Sequence, residues 1–79
     1  MPKYYFHLHN DIDAPDEEGK ELPDLDAARE VARDNARFTF AQTVMDEGHG
    51  SLEHRIDIED EQGRVLDTVW FRDVVKIEG

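Results

Sequence analysis

"HRIDIEDEQGRVLDTVWF", His54 to Phe71, decides the fold class. Ile56 and Ile58 alternate with Arg55, Asp57 and Glu59, the period-two pattern of a strand with one buried face. Asp60–Gly63 supplies turn residues and Val65–Phe71 returns, so the stretch predicts an antiparallel hairpin. The returning strand is apolar at Val65, Leu66, Val69, Trp70 and Phe71. Large residues therefore fall on both of its faces, and the face that meets a helix is left open. The tail from Arg72 to Gly79 alternates at Val74, Val75 and Ile77 and reads as a final short strand or a loose end.

A second strand lies at the other end of the chain. In "KYYFHLH", Lys3 to His9, Tyr4, Phe6 and Leu8 share one face and Tyr5, His7 and His9 the other. The first face is wholly apolar and is assigned to the core; the histidines then sit on the outer face. From Asn10 to Leu22, Gly19 and the acids Asp11, Asp13, Asp16, Glu17 and Glu18 read as a loop, with room for a short strand at Lys20–Leu22.

Between the strands the sequence carries a helix's punctuation. Pro23 and the candidate N-cap Asp24 precede it, Asp26 sits in the first turn, and Gly48 follows the last apolar residues, which predicts a helix from about Leu25 to Asp46. Leu25, Ala28, Ala32 and Ala36 form one stripe, and the small alanines suit close approach to a sheet. Arg29, Arg33 and Arg37 each follow an acid by three positions (Asp26, Glu30, Asp34), so the apparent basic patch reads as a solvated face of ion pairs. Near the helix end Phe38, Phe40, Ala41, Val44 and Met45 spread round most of the circumference and need cover on more than one side. The chain is thus expected to be a single α+β domain, residues 1–79, of β-α-β-β order, with one long helix packed on one face of a small antiparallel sheet.

Seventy-nine residues is close to the size below which a single core supplies only about 3–5 kcal/mol, so support from elsewhere is expected. Without cysteine there is neither a disulfide framework nor a thiolate metal site, and a partner chain is the simplest supplement. Twenty acidic against nine basic residues give a net charge of −11, which repels phosphate backbones and argues against nucleic acid as a partner. With no leader pattern and no apolar run near the roughly 20 residues needed to span a bilayer, the expectation is a cytoplasmic protein with no membrane partner.

His7 and His9 point the same way about 7 Å apart on a strand, a spacing at which two imidazoles can share a zinc ion. No motif fixes a third ligand among His49, His54 or the loop acids, and the strand pattern already explains both histidines. "DIDAPDEEGKEL", Asp11 to Leu22, departs from a calcium loop, with Asp16 where glycine is needed and Leu22 where a bidentate glutamate is needed. Ser51, the only serine, has no nucleophile context. No cofactor, metal or catalytic residue is assigned, and the chain is read as non-enzymatic.

"MPKYYFHLHND", "DEEGKELPDLDAAREVA" and "RIDIEDEQGRVLDTVWF" together resemble a family of small proteobacterial proteins catalogued as domain of unknown function 6894. The resemblance spans almost the whole chain, departing at His9, where a basic residue is expected, and at Trp70, where proline is common. It implies a bacterial, cytoplasmic origin and carries no activity, cofactor or site residue. The expected function is that of a small acidic protein-binding or regulatory module, with metal binding or catalysis through His7, His9 and loop acids as the alternative. Partner binding is assigned to Phe38, Phe40, Trp70 and Phe71, which one helix and one sheet face cannot all cover. A two-fold homodimer, tightened by salt as the charge is screened, is the simplest form of that association.

Overall fold

Asp24 has extended backbone, and its carboxylate accepts the Ala27 N–H at 2.8 Å, capping a helix that runs Leu25–Glu47 (α1) in the computed structural model, which describes residues 1–9 and 15–76. Gly48 ends the helix at φ 78°, a left-handed conformation that glycine adopts without strain, and donates its N–H to the Val44 carbonyl. All three predicted acid–arginine pairs form on the helix surface: Asp26–Arg29, Glu30–Arg33 and Asp34–Arg37. Exposed pairs of this kind each contribute a few tenths of a kcal/mol, about 0.2–0.5, so they ease helix formation without determining the fold.

Four strands form one antiparallel sheet in the order β2-β1-β3-β4: β1 Lys3–His9, β2 Lys20–Glu21, β3 Arg55–Glu59 and β4 Val65–Trp70. The expected short strand near Lys20 is β2, which pairs only with Lys3 and Tyr4. Between β3 and β4 the Asp60 carboxylate gathers the N–H groups of Gln62 and Arg64 and the Arg64 side chain, and Gly63 takes φ 80°. The pairing register Phe6–Ile58, Leu8–Ile56 and Ile56–Val69 puts these residues on the face beneath α1. Ala28, Ala32 and Ala36 are each 0% exposed there, and their lack of bulk lets the helix sit close upon Ile56 and Ile58.

Register also settles which face of β4 meets the helix. A bulge sets Ile58 opposite Asp67 but Glu59 opposite Val65, leaving Leu66 as the extra residue. Val69 and Asp67 therefore face α1, where Arg29 donates to Asp67 at 2.6 Å, and Thr68 and Trp70 face away. The strand ends one residue earlier than its apolar pattern suggests. Phe71 begins a single helical turn, Phe71–Val74 (α2), in place of the expected strand or loose end, and its N–H and that of Arg72 bond back to the His54 and Leu52 carbonyls. Ile77–Gly79 and Asn10–Ala14 lie outside the described residues.

The core consists of Tyr4, the three alanines, Ile56, Ile58, Val69 and Phe71. Phe6 and Leu8 face the helix side as expected but are half-buried, because α1 rests on β3, β4 and α2 and β1 lies to its flank.

An outward N–H is occupied by a carboxylate on β1, beyond the two residues that β2 covers, and on the edge strand β4. Phe6 donates to Asp16, whose other oxygen accepts from Glu18 and Gly19. Since Phe71 bonds toward β3, alternation turns the Thr68 N–H outward, where Asp67 accepts it at 2.8 Å. Burial alone would raise the Asp16 carboxyl, but the N–H donors of Gly19, Phe6 and Glu18 outweigh it and hold the group below the ordinary range. Arg29 does the same for Asp67, against the opposing effect of burial and with help from the Thr68 N–H. Both folded-state values are lowered, so the stability they contribute is fully present above the unfolded carboxylate value of about 3.9 and is lost as pH falls through the folded values. Urea midpoints should therefore drop on acidification below about pH 4, and the drop should be shallower in Asp16→Asn and Asp67→Asn; equal slopes in all three proteins would contradict this origin.

Candidate functional site

The sheet face opposite α1 gathers the side chains of alternate residues: Tyr5, His7 and His9 from β1, Arg55, Asp57 and Glu59 from β3, and Thr68 and Trp70 from β4. Asp57 is only 8% exposed at the centre of this face, and accepts from the Thr68 hydroxyl at 2.9 Å. His9 Nε2 lies 3.1 Å from one Asp57 oxygen and Arg55 Nε 3.5 Å from the other. His7 is oriented by the chain itself, since its Nδ1 accepts the Asp16 N–H at 3.0 Å. A neutral His7 ring must then carry its proton on Nε2, which faces Glu59 at 3.6 Å, with Tyr5 stacked parallel at 6.4 Å. The two imidazoles are thus directed at two different carboxylates, and among the described residues no three metal-ligating side chains converge. Trp70 completes the face, with the guanidinium of Arg72 at 4.8 Å and that of Arg55 at 5.6 Å from its ring.

A second surface lies on the far side of the helix. At about 100° per residue, Phe38 stands nearly opposite the buried Ala36. It is 66% exposed, and Met45, seven residues on and on the same side, is 81% exposed. Phe40 turns the other way, packs against the core, and closes on the loop after the helix. A side-chain carbon at Gly50 would fall 2.7 Å from its ring, so a larger residue there must displace the ring. In the same loop the Ser51 hydroxyl accepts the Glu53 N–H, and His54 meets Phe71 edge-on, so neither of these side chains is arranged around the other. The depression lined by Pro2, Lys3, Asp60, Glu61 and Gln62 is shallow and open.

The sequence profile of the family described as a domain of unknown function (DUF6894) matches residues 3–72, which takes in all four strands and α1. The chain belongs to this family. No curated protein and no solved structure matches it. No helix of the DUF6894 chain is long and apolar enough to cross a membrane, among the described residues.

The structure does not bring the four predicted partner-binding residues of this DUF6894 chain together. Phe71 is 1% exposed, enclosed by α1 and the sheet, and cannot meet a partner without unfolding. Phe40 is half-buried between the core and Gly50. Phe38 and Trp70 remain accessible in part, on opposite sides of the molecule. Met45, noted as apolar but not assigned to a site, shares the surface with Phe38, whereas Val44 lies about 120° round the helix from Phe38. The seven-residue spacing of Phe38 and Met45 was the signal for it. Of the acidic loop considered for metal binding, Asp11 and Asp13 lie outside the described residues.

Proposed function

We propose that this DUF6894 chain is a small, acidic, non-enzymatic protein-binding module of the bacterial cytoplasm, with a second copy of itself among its partners. The observation that carries this reading is the exposed apolar surface of α1 centred on Phe38 and Met45. A helix side directed to solvent normally carries polar residues, and large apolar side chains clustered there are most simply explained by a surface that becomes covered. Catalysis is disfavoured by the open face of the sheet: its histidines are directed at Asp57 and Glu59, and the Thr68 hydroxyl donates to Asp57 and not to an imidazole. Regulation would then proceed by occupancy of the apolar surface.

A photo-crosslinking phenylalanine analogue placed at position 38 in the source organism tests the reading. Protein adducts should form from position 38 and not from position 61, which lies in the β3–β4 turn. Equal labelling from both positions, or none from position 38, would overturn it.

A further inference from the structure

We infer that the occupant of the exposed α1 surface is a second copy of this chain, its helix antiparallel to the first and Phe38 on the two-fold axis. This inference rests on the binding reading above and deepens it. Val31, Phe38 and Met45 recur every seven residues, with Phe38 at the midpoint. An antiparallel copy placed about Phe38 therefore sets Val31 against the partner helix's methionine of the same repeat and Phe38 against its own equivalent, so the surface is complementary to itself. The flanks are compatible: Asn35 and Gln42 on one side are uncharged, and on the other Asp34 and Arg37 are already paired at 3.1 Å.

Charge selects the same surface. The helix has five acids against three arginines, whereas the rest of the chain has fifteen acids against six bases. Two copies thus approach with least repulsion helix to helix, and salt weakens what repulsion remains. The alternative route, edge to edge through β1 or β4, meets the carboxylates of Asp16 and Asp67 on the N–H groups that a new strand would need. Phe38 and Met45 together expose on the order of 300 Å² per copy. A pair of such surfaces falls below about 1,200 Å², the class of weak, reversible complexes.

The absence of cysteine permits a direct test of register. Phe38→Cys should link to itself under mild oxidation, Met45→Cys alone should not, and a mixture of Val31→Cys with Met45→Cys should link the one variant to the other. The unmodified chain should sediment with a mass that rises toward twice its own across the micromolar range, more readily at moderate than at low salt, and Met45→Glu should hold it at single mass with an unchanged circular dichroism spectrum. A single mass for the unmodified chain at every concentration, or self-linking of Met45→Cys as efficient as that of Phe38→Cys, would overturn the inference. Adducts from position 38 to other proteins alone, with a monomer in sedimentation, would remove the self-pairing and leave the binding reading standing. Absence of any adduct would remove both.

Discussion

Phe71→Ala is expected to leave the chain largely unfolded at room temperature. The ring is 1% exposed, one of the two largest side chains that are fully enclosed, and it packs where α1, β4 and α2 meet. Truncating a buried phenylalanine removes its transfer free energy and leaves a cavity, together costing about 3–5 kcal/mol. A domain of this size has a stability of about that amount in total, so the loss removes most of it. Far-ultraviolet circular dichroism across a urea titration reads the result directly. Phe6→Ala, at a half-buried position beside the helix, should show a smaller shift and remain folded in water. A Phe71→Ala midpoint close to that of the unmodified chain would mean that the ring is not where α2 places it.

Ala32→Leu should also be damaging, though less so, for the opposite reason. Leucine and alanine differ little in helix propensity, so the cost is not in the helix itself. Ala32 is 0% exposed in the middle of the alanine stripe, with Ile56 and Ile58 in the core beneath. Three further carbons there must lift the helix from the sheet or force neighbouring side chains off their rotamers, at about 1–3 kcal/mol. The control is Glu47→Leu, exposed at the end of the same helix and away from the Phe38 side, which should move the melt by no more than about 0.5 kcal/mol. If the two variants melt alike, the close approach of helix and sheet is not what the alanines provide.

The helix was legible because its signals are local. Asp24, Gly48, the alanine stripe and three acid–arginine spacings lie within one segment, and each acts within a turn or so of its own position. The faces of β1 were legible by alternation, although the degree of burial of Phe6 was not, since that depends on where a distant helix comes to rest. The face of β4 was hidden by its two apolar sides and is settled by contacts that span the chain: the bulge at Leu66 and the bond from Arg29 to Asp67. Nor does a proline or glycine mark the end of β4. The chain turns at Phe71 because its ring enters the core and its N–H reaches His54. Residue type alone does not place the aromatics of the helix end on a common surface. Phe38 and Phe40 are separated by about 200° on a helix and cannot share one surface, whereas Phe38 and Met45 can.

Carboxylates at both margins of the sheet give it a fixed width. A strand adding at either margin would meet a carboxylate on an N–H that it needs, which leaves side chains, among them the exposed positions of α1, as the more accessible surface. Those positions can be exchanged without disturbing a single strand pairing. Substitutions on the exposed side of α1 should accordingly leave the contacts of Asp16, Asp67 and the alanine stripe intact, so that surface and scaffold of this chain can be varied separately.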